Sequence, residues 1–126
     1  MKPIESKDAP AAVGPYSQSI KSGDMLFLSG QVPLCPTSGK IVGENVTEQT
    51  HQVMKNLAAV LKAAGGDFSH VLKMGIFLKD LEDFNAVNEV YASYLSKPFP
   101  ARACVEVARL PKDVMVEIEA IARIEV

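Results

Sequence analysis

Histidine and cysteine are scarce in this sequence, with two of each among 126 residues. No His/Cys/carboxylate set falls at zinc-ligand spacing, so neither a structural nor a catalytic metal is expected. Cys35 and Cys104 lie far apart and belong to no CxxC pair. They imply no disulfide framework and fit a reducing cytosol. Positive charge is also short: 13 Lys and Arg against 15 Asp and Glu leave a formal net charge of −2. No basic run supplies the footprint that duplex nucleic acid requires, so nucleic-acid binding is not expected. No apolar run approaches the ~20 residues of a membrane-spanning helix. Charges occupy residues 1–10, where a signal peptide would carry its apolar segment. The signatures GxGxxG, GxxxxGK[ST], GxSxG and HExxH are all missing.

What remains is an ordinary globular composition, 48% hydrophobic and 22% charged. A chain this long is expected to form one domain over residues 1–126, burying roughly two-thirds of its unfolded surface.

Residues 1–15 are rich in Ala, Pro and Gly and read as an irregular lead-in. Two β-like runs follow, 17–21 and 25–29, joined by Ser22-Gly23-Asp24 in the manner of a hairpin. Pro33, Pro36, Gly39 and Gly43 mark a loop over 33–45. Asn45 and Glu48 have capping-box spacing. Val46, Thr50, Val53, Leu57, Val60, Leu61 and Ala64 then recur at helical spacing, and Gly65-Gly66 stops the helix. Residues 71–79 alternate, which places Leu72, Met74, Ile76 and Leu78 on one buried face. Asp80 can cap a second helix reaching about Leu95, and Pro98 blocks its continuation.

The last segment alternates most clearly. Val114, Val116, Ile118, Ala120, Ala122 and Ile124 share one face; Met115, Glu117, Glu119, Ile121, Arg123 and Glu125 share the other. The predicted order is β-β-α-β-α-β-β, an α+β fold with both helices on one face of a mixed sheet. Phe77, Met115 and Ile121 would then lie on a wet face, so a symmetric oligomer is expected to cover it.

The stretch FPARACVEV (99–107) reads mostly as strand, yet Arg102 sits inside it. Arg102 shares a face with Cys104 and Glu106, between small neighbours Ala101 and Ala103. Such an arginine ordinarily makes a surface or interface ion pair. The alternative is a carboxylate clamp, for which its fork is suited and a lysine is not. Glu117 is either a solvated sheet residue or a base that holds a water; a nearby Arg102 would oppose an upward shift of its pKa. In the stripe Phe84, Asn88, Tyr91, Leu95, the Asn88 amide needs a partner, whether a loop or a ligand. Tyr16 follows the rigid Gly14-Pro15 turn, and Ser29-Gly30 ends a strand where a backbone N–H can approach a ligand. Both Tyr16 and Ser29 also have ordinary packing roles. Cys104 reads as a packing residue rather than a nucleophile.

Together GPYSQ (14–18), LSGQVP (28–33), DFNAVNEVY (83–91), FPARACVEVARLPKD (99–113) and VEIEAIA (116–122) resemble the RidA (YjgF-type) family of enamine/imine deaminases. The resemblance covers nearly the whole chain. It implies a chorismate-mutase-like fold, a cytoplasmic homotrimer with clefts between subunits, and no cofactor. The implied activity is hydrolysis of 2-aminoacrylate and related 2-imino acids, such as 2-iminobutanoate, to 2-oxo acids and ammonia. Carried over, Arg102 grips the substrate carboxylate with the N–H groups of Gly30 and Cys104. Glu117 positions water, and Tyr16, Ser29 and Asn88 line the site. Two other readings stand beside it: a regulatory trimer that binds 2-oxo acids without turnover, and a ribonuclease or translation inhibitor.

Overall fold

The alternation of residues 114–125 becomes the centre of the sheet. In a computed structural model, which describes residues 1–125, Val114, Val116, Ile118, Ala120, Ala122 and Ile124 are all buried. The elements run β1 (Lys2–Pro3), β2 (Ser19–Ser22), β3 (Met25–Gln31), α1 (Val46–Ala63), β4 (Val71–Leu78), α2 (Phe84–Ser93), β5 (Ala101–Glu106) and β6 (Val116–Arg123). One six-stranded sheet has the order β1-β2-β3-β6-β4-β5. β4 and β5 are parallel and every other neighbouring pair is antiparallel. The α+β architecture and mixed sheet are as expected. β1 is an addition: Lys2 pairs with Lys21 and Pro3 with Ile20. A strand of two residues leaves no period for a sequence to display.

α1 forms where its apolar stripe can be buried. The Asn45 side-chain Oδ1 accepts from the Glu48 N–H at 2.9 Å, and the Glu48 carboxylate accepts from the Glu44 N–H. Val53, Met54, Leu57, Val60 and Leu61 are fully buried against the sheet. Each side chain of this kind contributes about 1.5–3 kcal/mol of burial, which outweighs helix propensity. Gly65, at φ +86°, ends the helix in the left-handed conformation.

Three readings need correction. Leu72 is 48% exposed; an irregularity between Val71 and Lys73 shifts the register, so Val71 takes the inward position instead. α2 begins at Phe84, after a 3-10 turn over Leu81–Asp83 that Asp80 caps by accepting from the Glu82 N–H, and it stops at Ser93. Met115 packs against the core rather than on the open face, its N–H donating to Gln49 Oε1. The sheet's other face is nevertheless apolar in part, with Phe27 47% and Val105 46% exposed. Ile121 pairs in register with Phe27 and so shares that face.

Candidate active site

Cross-strand partners share a face, so register fixes where each polar residue points. Arg102 of β5 is opposite Met74 of β4, which is opposite Ala120 of β6. Met74 and Ala120 are core residues, so Arg102 leaves on the helix side of an edge strand. There its guanidinium lies 5.2 Å from the Phe84 ring centre and 5.3 Å from that of Tyr91, and Arg102 Nη1 donates to Asn88 Oδ1. Arg102, Asn88 and Tyr91 border an open cavity of about 290 Å³ with Phe99 and Pro100. Asn88 therefore spends its carbonyl on Arg102, not on a loop.

The backbone of β5 adds a second donor. Val107 N–H bonds to Leu78 O at 2.9 Å. By strand alternation Val105 and Ala103 also turn their backbone toward β4. Arg102, Cys104 and Glu106 then turn theirs to the free edge. The Cys104 N–H is thus available beside the guanidinium. Its thiol is half-buried on the helix side; burial pushes the thiol pKa up, with Arg102 opposing. That protonation state suits packing rather than nucleophilic attack.

Glu117 of β6 is opposite Phe77, which is opposite Val105. It therefore points to the open face, away from Arg102. It borders a cavity of about 700 Å³ with Tyr16, Gly30, Cys35 and Lys112. A methyl group at Gly30 would lie 2.6 Å from Glu117 Oε2. Glycine at this position, in the irregular stretch between Leu28 and Gln31, is what lets the carboxylate lie against the backbone. Gly30→Ala is expected to displace the carboxylate and lower kcat with little change in melting temperature. Steady-state kinetics beside a thermal melt checks this.

Burial is the main cause that raises the Glu117 pKa above the ordinary carboxylate range, and the neighbouring Glu119 adds to it. The expected opposition from Arg102 does not arise within one chain, because the sheet separates the two groups. A carboxylate of raised pKa that served as a base would lose activity as pH falls through that raised value. Glu119→Gln removes the like charge, so the acid limb of kcat/KM is expected to move to lower pH. A pH profile in which it stays still or moves upward would contradict this.

Tyr16 borders the Glu117 cavity and is 54% exposed; Gly14, at φ +116°, forms the turn before it. Ser29 does not border that cavity: its hydroxyl donates to Ser17 O at 2.6 Å and so pins the turn beside Gly30. Two lining residues carried no signal in the sequence. Cys35 lies in the 33–45 loop, where hydrogen bonds from Ser38 and Thr37 hold its thiol pKa down to about 6. Lys112 adopts φ +56°, as does Asp113, a conformation uncommon outside glycine. Among the described residues, no group of three or more His, Cys, Asp or Glu is placed to hold a metal ion. Among the same residues, no helix is long and apolar enough to cross a membrane.

The chain is thus a small α+β protein with a polar site on each face of its sheet: on one, a guanidinium that makes no ion pair among the described residues, beside a backbone donor at the sheet edge; on the other, a carboxylate of raised pKa in a cavity. The family model described as endoribonuclease L-PSP matches residues 6–124. The human 2-iminobutanoate/2-iminopropanoate deaminase is 46% identical over 119 residues, 94% of this chain and 87% of that protein. Crystal structures of RidA from the Antarctic bacterium Psychrobacter sp. PAMC 21119 and of Escherichia coli TdcF with bound serine superpose with TM-scores of 0.95 and 0.93. Their identities are 44% and 45%; each match covers 98% of this chain, and 100% and 98% of theirs respectively. The chain belongs to this endoribonuclease L-PSP family, the RidA/YjgF family, and has its chorismate-mutase-like fold.

Proposed function

We propose that the protein hydrolyses 2-imino acids such as 2-iminobutanoate and 2-iminopropanoate to 2-oxo acids and ammonia, in clefts between the subunits of a homotrimer. One observation carries the reading. Arg102 and Glu117, each equipped for one half of the chemistry, stand on opposite faces of one sheet. A carboxylate gripped by Arg102 of one copy would meet Glu117 only if a second copy brought its open face against the first. The exposed Phe27 and Val105 on that face favour such coverage.

The chemistry follows from the donors. An enamine such as 2-aminoacrylate tautomerises to its imine, whose C2 is electrophilic. Arg102 and the Cys104 and Gly30 N–H groups hold the carboxylate and so fix C2. Glu117 takes a proton from water as the oxygen bonds to C2 and the C=N electron pair moves to nitrogen. That proton passes to nitrogen to give the carbinolamine; the hydroxyl proton then follows to nitrogen through Glu117 as the C=O bond forms, the C–N bond breaks with its electron pair on nitrogen, and ammonia leaves the 2-oxo acid. Tyr16 shares the Glu117 cavity and is placed to orient the water or the leaving nitrogen. The imine is intrinsically reactive, so positioning supplies much of the acceleration. A general base adds about 10²- to 10⁴-fold.

A ribonuclease reading has less support. His51 hydrogen-bonds Tyr94 on the helix layer, His70 caps a 3-10 turn, and neither borders the Glu117 cavity. The test couples the protein to a threonine dehydratase and follows decay of the imine. Decay above the uncatalysed rate with matching ammonia release is expected. Saturable binding of 2-oxobutanoate without acceleration would instead favour a regulatory trimer.

A further inference from the structure

The stripe Phe84, Asn88 and Tyr91 on α2 faces Arg102 over three successive helical rungs. Two features of this stripe are unexplained by packing alone. Tyr91 is 4% exposed, yet its hydroxyl is buried with no hydrogen-bond partner. A buried phenol ordinarily finds one. Arg102 is the second. Among the described residues, ion pairs involve Arg109, Arg123 and His70 but not Arg102.

We infer that Phe84 and Tyr91 are positioning residues that hold the Arg102 guanidinium in place for an incoming carboxylate. This rests on the proposed role of Arg102 as the carboxylate clamp. The reason for aromatics is electrostatic. A protein carboxylate would fix the guanidinium but neutralise the charge the ligand needs. Ring faces attract the cation through their quadrupoles and leave its charge uncancelled. The Asn88 carbonyl fixes one edge of the fork through a neutral acceptor. Most of the guanidinium's five N–H groups then remain to bind an anion. Ordering the side chain before binding removes an entropy cost that a free arginine would bear on contact. The rings work through their faces, so the tyrosine hydroxyl is dispensable.

The experiment measures the ¹⁵N order parameter of Arg102 Nε by NMR relaxation, with 2-oxobutanoate titrated into the same samples. The variants are Phe84→Leu, Tyr91→Leu and Tyr91→Phe, each checked by thermal melt. In the wild type a value near that of rigid backbone, about 0.85, is expected, and below about 0.6 in either leucine variant. Affinity should fall about 3- to 10-fold per ring lost, the range a partly exposed cation–π contact supplies. Tyr91→Phe should retain both order and affinity, which a role for the hydroxyl would not allow. In an Arg102→Gln background, which leaves no cation for the rings to hold, Phe84→Leu should have no further effect on affinity. A mobile guanidinium in the wild type, unchanged order in a folded leucine variant, or a full Phe84→Leu effect on Arg102→Gln would each overturn the inference. If Tyr91→Leu unfolds, Phe84→Leu decides alone, since Phe84 is only half-buried. A rigid guanidinium in a wild type that binds no 2-oxobutanoate would instead sink the deaminase reading and leave the cradle supported.

Discussion

Arg102→Ala is expected to lower kcat/KM for 2-iminobutanoate by roughly 10²- to 10⁴-fold, since a forked contact makes two charge-assisted bonds worth about 1.5–3 kcal/mol each. Arg102→Lys keeps the charge but loses the fork, so roughly 10- to 100-fold of that loss should remain, the worth of one such bond. Neither change should unfold the protein. Arg102 lies on an edge strand, is exposed, and makes no ion pair among the described residues. Its removal forfeits the Asn88 hydrogen bond and two ring contacts, roughly 1–3 kcal/mol, while the buried core is left intact. Turnover of freshly generated imine and a thermal melt on the same samples separate the two effects. An alanine variant with wild-type kcat/KM would remove the clamp from the mechanism.

Glu117→Gln should lower kcat by about 10²- to 10⁴-fold, the share of a positioned general base. Binding of 2-oxobutanoate should change little, because glutamine keeps the shape of the side chain against Gly30 and leaves the Arg102 clamp untouched. The same substitution should raise the melting temperature at neutral pH. Burial and Glu119 raise the folded-state pKa of Glu117. The stability this group contributes is then fully present below its unfolded pKa and is lost as pH rises through the raised folded value. Above that value the ionised carboxylate is a liability that glutamine removes. At a pH below the unfolded pKa the gain should vanish. Kinetics and melts across pH check both halves; a variant with normal kcat contradicts the role of Glu117.

Most of the fold could be read from periodicity, and the exceptions have local causes. The alternation of Val114 to Ile124 survived intact because β6 lies mid-sheet, where one face is buried along its whole length. Leu72 was misplaced because one irregular residue in β4 inverts the alternation before it. β1 was too short to leave a pattern. The site divides in the same way. Arg102 stands out as a residue type at odds with its strand, whereas Glu117 on a polar face and Gly30 at a strand end each have an ordinary role that the sequence does not exclude. The cavity lining by Cys35 and Lys112 does not stand out, since it depends on loops folding back over β3 and β6. The opposition of Arg102 and Glu117 was legible in principle from strand parity. It required the register of β4 against both neighbours, which no single chain stretch contains.

The division of Arg102 and Glu117 between copies is tested most directly by mixing two inactive variants. Arg102→Ala and Glu117→Gln chains, unfolded together in equal amounts and refolded, should assemble at random. In a ring where each site takes its arginine from one copy and its glutamate from the next, about one-quarter of the sites then recover both intact groups. Activity near one-quarter of wild type is the expected result. A mixture no more active than the two variants measured separately, despite shown subunit exchange, would contradict it.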